Sequence, residues 1–278
     1  MNKKLLSNTT PLVKNVWIRC ILGFVFIMVA VITSEIAIKK LSRMVGNFDY
    51  IGLSLIPLLF TLGAVLLLWK FMERKPLSSF GFAFRNIGRD ISLAILLPIL
   101  IMGSTFAILV LSGQIQIVSF NFDVWKLLYF IVVLMFYAAI EELPLRGYLQ
   151  RILLESIHPM WTVVWISILF GLMHISNQYF SVVELLNCMI LGGMIGIYFV
   201  KKKNLWFPIV FHLSWNYFMG IFFGSSISGK SFGYSLLTIQ STGNELLTGG
   251  IVGFEGSLIL LVISSISLVF IYRKYKIN

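Results

Sequence analysis

The sequence predicts an all-α, polytopic membrane protein of about eight transmembrane helices enclosing a buried polar site, and three observations predict it. Of the 278 residues, 58% are hydrophobic and only 12% are charged, with a mean hydropathy of +0.93, too apolar for a water-soluble domain of this length. Eight apolar runs reach or approach the ~20 residues that cross a bilayer. Several of the few polar side chains lie inside those runs rather than between them. The formal charge of +11 does not mark a nucleic-acid partner, because the basic residues stand in short clusters between apolar runs, where they act as topology signals.

Taken in order, the amino-terminal "MNKKLLSNTTPLVKN" has lysines but no short apolar core followed by a small-residue cleavage site, so the first apolar run is expected to stay as an anchor. The eight runs cover residues 16–38, 51–71, 91–112, 125–149, 160–176, 181–200, 205–223 and 256–272, the fifth being the shortest. No repeat or linker divides them, and residues 1–278 read as one integral-membrane domain. With the amino terminus inside, all basic residues but Lys39, Lys40, Arg43, Lys126 and Lys230 fall on inner segments. Those inner residues include Lys3, Lys4, Arg19, Lys75, Arg85, Arg151, Lys201–Lys203 and Lys276, so the chain is expected in the cell membrane with both termini cytoplasmic. Residues 224–255, rich in Gly, Ser and Thr, fall on the outer side as a re-entrant segment, a surface lid or a long connection. Cys20 and Cys188 lie inside apolar runs and form neither a metal nor a disulfide pattern.

A charged group deep in a bilayer is costly, so each one is a candidate for function. Glu141 in the fourth run and His174 in the fifth lie about 14 residues either side of a turn near 155–160, at similar depth on antiparallel helices. His212 and Asn216 are four apart on the seventh, on one face. Three helices thus bring Glu, His, His and Asn towards one buried place. Glu142 and Arg146, also four apart, have the favoured order for an ion pair. Pro144 between them removes the donor to the Ile140 carbonyl and predicts a kink. Successive residues point about 100° apart, so Glu141 and Glu142 need not share a task. Each residue alone also has a bland reading: Glu142–Arg146 as a structural pair, His174 as a packing residue, Asn216 as a bond between helices. His158 is expected to be solvated, Glu35 and Glu184 to reach the interface, and Trp206 and Trp215 to pack or line the interface.

Together the four suit amide hydrolysis. A desolvated Glu141 beside His174 can act as general base on a water, and His212 with Asn216 can donate to a tetrahedral oxyanion. The alternative chemistry is zinc held by Glu141, His174 and His212, although the HExxH spacing of common zinc proteases is absent. The rival function is a non-enzymatic transporter or scaffold using the same cluster as an ion or proton site, and no paired repeat supports it.

"EELPLRG" (141–147), "FGLMH" (170–174) and "HLSWN" (212–216) resemble, in order and spacing, the EExxxR, FxxxH and HxxxN motifs of the CPBP family of intramembrane proteases, the CAAX-protease and bacteriocin-processing or Abi family. The likeness covers roughly residues 75–256 and includes "LGGMIGIYFVKKKNLWFPIVFH" (191–212); Leu145 stands where an aromatic is common. The resemblance implies an eight-helix fold with a catalytic cavity open to the cytoplasmic leaflet. It makes Glu141 the water-activating base with His174, His212 and Asn216 the oxyanion site, and Glu142 and Arg146 supporting groups. It also implies a membrane-associated peptide or protein substrate, met in bacteriocin, pheromone or leader processing or in self-immunity, less readily in cleavage of prenylated C-termini. Metal-dependent and metal-free mechanisms have both been argued for the family.

The topology is testable directly. A reporter fused after Asn278 should read cytoplasm and one inserted near Ser241 should read exterior; the reverse pair of readings would invert the map.

Overall fold

The computed structural model describes residues 10–84, 87–275 and 277. Lys3, Lys4, Arg85 and Lys276, used above to orient the chain, lie outside the described residues. Helices follow the apolar runs. α1 is Val16–Val45, α2 is Tyr50–Leu67 with a wider π-helical turn at Leu68–Met72, and α3 is Ile87–Leu111. α4 is Val124–Glu142; it widens into π-helix at Leu143–Leu149 and ends as the short α5, Gln150–Leu153. α6 is Pro159–Leu172, α7 Val182–Lys202, and α8 Trp206–Asn216, continued by π-helix at Tyr217–Phe222. The small α9, Glu245–Thr248, precedes α10, Leu258–Lys274.

Five segments are long and apolar enough to cross a membrane by length and composition: Val16–Val45, Tyr50–Met72, Ile87–Leu111, Val124–Leu153 and Val182–Lys202. The other three predicted runs carry shorter helices, of 14, 11 and 17 residues for α6, α8 and α10. The fifth run ends early: α6 stops at Leu172, and His174 sits in the turn beyond it.

The all-α expectation needs one correction. β1, Ile115–Phe120, pairs antiparallel with β2, Leu237–Ser241, from Ile115 opposite Ser241 to Phe120 opposite Leu237. A register shift between Ile117 and Ser119 leaves Val118 as the extra residue of a bulge. The α3–α4 connection and the 224–255 loop run extended side by side there, and their backbone groups satisfy one another. β-branched residues on both strands suit that pairing.

α7 is the most buried of the five long segments, packed between α6 and α10. Its "LGGMIG" stretch explains how. A Cβ on Gly192 would press on the Ser167 backbone of α6, and one on Gly196 would press on Val163, so the missing side chains let the two helices approach closely. The same absence leaves α7 carbonyls within reach of α4: Arg146 Nη2 donates to the Gly192 carbonyl at 3.1 Å, and Gln150 Nε2 to the Gly196 carbonyl at 3.2 Å. α8 is enclosed by α3, α4 and α7.

One end of the bundle is tied by charge. Buried Arg19 donates to Glu73 at 2.5 Å and to Glu155 at 2.7 Å, Lys75 also pairs with Glu155, and the Tyr148 hydroxyl donates to Glu73 at 2.9 Å. Lys202 pairs with Asp90, and Arg151 caps the carbonyls of Ser79 and Lys203. The start of α1, the end of α2, the start of α3 and the ends of α5 and α7 therefore meet at this basic end. The paired strands β1 and β2 and the rest of the 224–255 loop occupy the opposite end.

Burial pushes the Glu155 carboxyl up, but Lys75 and Arg19 outweigh it and hold the group below the usual carboxylate range. A carboxylate with a depressed folded pKa adds stability above its unfolded value, about 4.3, and that stability is lost as pH falls through the folded value. Glu155→Gln should therefore lower the melting temperature in detergent near neutral pH, with the gap to wild type closing below about pH 4. A gap that stays constant through the acid range would contradict this.

Candidate active site

The site is built where α4 stops being α-helical. Pro144 has no N–H to offer Ile140, and the chain widens into π-helix from Leu143 onward, directly after the two glutamates. The predicted kink thus takes the form of a seven-residue π-segment. α8 likewise turns π-helical directly after Asn216.

The glutamates part company as their angular spacing predicts. Glu142 is fully buried and points into the bundle, where Oε1 accepts from Arg146 Nη1 at 2.9 Å and lies 3.0 Å from His212 Nδ1. A carboxylate only accepts, so His212 carries its proton on Nδ1 and turns Nε2 away from Glu142. Arg146 is fixed on its other side by the Gly192 carbonyl and stacks over the Phe170 ring at 5.1 Å. Glu141 faces a cavity instead, with Oε2 buried and without a hydrogen-bond partner among the described residues.

That cavity, about 310 Å³, is lined by Glu141, His174, His212 and Asn216 together. His174 lies just past the end of α6, and its Nδ1 sits 2.8 Å from the Phe170 carbonyl. A carbonyl also only accepts, so Nδ1 donates and, in the neutral ring, Nε2 is left as an acceptor. Phe170 organises both imidazoles: its ring packs 5.0 Å from His174 and edge-on to His212 at 5.6 Å. Asn216, one turn from His212, is buried, and its amide makes no hydrogen bond among the described residues.

Sequence reasoning missed the far wall. Tyr50, Tyr137, Asn177, Ser228, Lys230 and Glu255 complete the cavity. Glu255 is 3% exposed; its carboxylate accepts from Trp215 Nε1 at 3.2 Å and from the Ser228 hydroxyl at 2.7 Å. The loop expected to be lid or connection therefore covers the cavity, pinned to α8 through Trp215. Glu184 also departs from expectation: it is fully buried and accepts from Asn177 at 2.8 Å rather than reaching an interface. The available signal for Glu255 was an acidic residue at the edge of the last apolar run, among glycines at 249, 250, 253 and 256. The added lining from Tyr50, Asn177 and the stretch from Ile227 to Phe232 comes from the end opposite the basic cluster.

Glu, His and His are suitable zinc donors by chemistry. Among the described residues, however, no group of three or more His, Cys, Asp or Glu side chains converges to hold a metal ion. Glu141, His174 and His212 share the cavity without forming a ready ligand set, and in this arrangement they do not fit a zinc site.

Residues 123–218 match the family described as type II CAAX prenyl endopeptidase Rce1-like, which bears out the family resemblance of the three motifs. The matched stretch runs from the Asp123 cap of α4 to just beyond Asn216 and contains all seven motif residues. No curated protein matches the chain.

Removing Arg146 should leave the Glu142 carboxylate buried against His212 alone. Breaking such a pair costs about 3–5 kcal/mol. Arg146→Ala should accordingly deplete the folded protein in membranes and lower its melting temperature in detergent; an unchanged melting temperature would contradict the buried pairing.

Proposed function

We propose that this chain is an intramembrane endopeptidase that hydrolyses a peptide bond in a membrane-associated peptide or protein, with Glu141 as general base. The observation that carries the reading is that one cavity is lined by Glu141, His174, His212 and Asn216, each from its own motif or motif pair. A water between Glu141 and His174 would donate one hydrogen bond to His174 Nε2, the nitrogen left free by the Phe170 carbonyl. Glu141 takes the water's other proton, the oxygen attacks the scissile carbonyl carbon, and the carbonyl oxygen becomes an oxyanion. The Asn216 amide donates to that oxyanion; His212 does so through Nε2 when its ring is protonated, with Glu142 as counter-charge. The carbon–nitrogen bond then breaks and the leaving amine takes the proton from Glu141. Glu142 and Arg146 hold His212 in place and touch no reacting atom. In the membrane, the basic end that gathers Arg19, Lys75, Arg151 and Lys202 faces the cytoplasm, with both termini. Processing of a peptide pheromone, leader or bacteriocin suits a site of this kind.

Three outcomes test this with purified protein and a membrane-associated candidate peptide. Glu141→Gln keeps the side-chain shape and should abolish cleavage while leaving the protein folded and abundant. His212→Ala should lose about 10²–10³ in rate and keep a measurable remainder, as expected for a removed oxyanion donor. Elemental analysis should find no stoichiometric zinc, and chelators should leave the rate unchanged. Normal turnover in Glu141→Gln would refute the base, and one zinc per active chain, lost with activity in His174→Ala, would refute the metal-free mechanism.

A further inference from the structure

The lid loop carries a cation that the proposed chemistry does not use. Lys230 lines the cavity of Glu141 and also an adjoining cavity of about 540 Å³. The second cavity is walled by polar groups such as Asn121, Asp123, Ser226, Ser235 and Thr238. Lys230 is exposed and, among the described residues, makes no ion pair, whereas the other lysine of that cavity, Lys126, lies 3.9 Å from Asp123.

Its backbone is held with unusual firmness for a loop. Ile227 and Lys230 exchange both backbone hydrogen bonds, at 3.0 and 2.9 Å, across Ser228 and Gly229. Both central residues have positive φ, 47° and 78°, as a type I′ hairpin turn requires. Ser228 pays for its left-handed backbone with two bonds to Glu255, from its N–H at 3.0 Å and its hydroxyl at 2.7 Å. The Gly229 N–H donates to the Val252 carbonyl at 3.0 Å. Through Glu255 and Trp215 the turn is braced against α8, one residue from Asn216. Lys230 is thereby placed at the boundary of the two cavities.

Resting on the protease reading above, we infer that Lys230 is a specificity residue that binds a carboxylate of the substrate on the leaving side of the scissile bond. Lys230 makes no ion pair with the carboxylates that line the two cavities, Glu141, Asp123 beside Lys126, and Glu255 held by Trp215 and Ser228; its ammonium has an anion as its complement, and a peptide offers two carboxylates: the chain terminus and an acidic side chain. The free C-terminus is the source we favour, because the polar second cavity has room for a short tail leading away from Glu141. Lys230 touches no reacting atom, so its contribution lies in binding.

The test separates binding from chemistry. Full-length Glu141→Gln protein in detergent, which should not turn over, is titrated with a fluorescent prenylated CAAX-type peptide as the free acid, as the C-terminal amide, and as an amide ending in Glu. The free acid should bind about tenfold or more tightly than the plain amide, as a charge-assisted contact provides. Adding Lys230→Gln should abolish that preference while leaving amide binding unchanged, and Lys230→Arg should retain it. Tighter binding of only the Glu-ending amide would assign the same contact to a side-chain carboxylate. Equal binding of all three peptides, no binding at all, or a preference that survives Lys230→Gln would overturn the inference. Cleavage by the otherwise unaltered chain is measured in parallel: discrimination without cleavage would sink the protease reading and spare Lys230, and cleavage without discrimination would do the reverse.

Discussion

The Glu142 carboxylate, buried between Arg146 and His212, is the constraint on which the rest of the arrangement depends. A lone carboxylate there would be prohibitively desolvated, so it must keep a cation and a donor beside it. Meeting that need fixes three helices at once. Arg146 reaches from the π-helical end of α4 to the Gly192 carbonyl of α7, and His212 draws α8 in from the other side. The approach of α6 to α7 depends on the glycines that expose that carbonyl. Phe170 then lies between Arg146 and both imidazoles and turns His174 with its own carbonyl. Structural charge and chemical charge are adjacent in sequence and separated in space: Glu142 is spent on the fold, which leaves Glu141 unpaired and facing the cavity.

The parts legible in the sequence were those governed by helical periodicity and by the cost of burying charge. Spacing of four residues placed Glu142 with Arg146 and His212 with Asn216, and matched depth brought Glu141 and His174 to one cavity. Pro144 announced the break in α4, although nothing in the spacing showed that it would take the form of a π-segment. The helix count was less legible, because α6, α8 and α10 are shorter than a full span and hydropathy does not reveal where a helix hands over to a turn.

What the sequence hid lies in the 224–255 loop, where no period exists to read. Its glycines, serines and threonines gave composition but no register, so neither the pairing of β2 with β1 nor the type I′ turn at Ser228–Gly229 was visible. Glu255 escaped notice for the same reason: its partners Ser228 and Trp215 are 27 and 40 residues away, and only the folded loop joins them. Once folded, that loop closes the cavity from the end opposite the basic cluster. The cover is therefore tied to α8, which carries two of the four candidate residues, so the candidate site residues and the Ser228–Gly229 turn share one support.

The central claim is that Glu141 acts as a base on water and does not itself attack the substrate. Single-turnover cleavage of a membrane-associated peptide in ¹⁸O-labelled water, followed by mass spectrometry of the product and of the peptide containing Glu141, tests it most directly. Water attack predicts one labelled oxygen in the new product carboxylate and none in Glu141. An unlabelled first product whose oxygen came from Glu141, or no cleavage of any such peptide, would contradict the account.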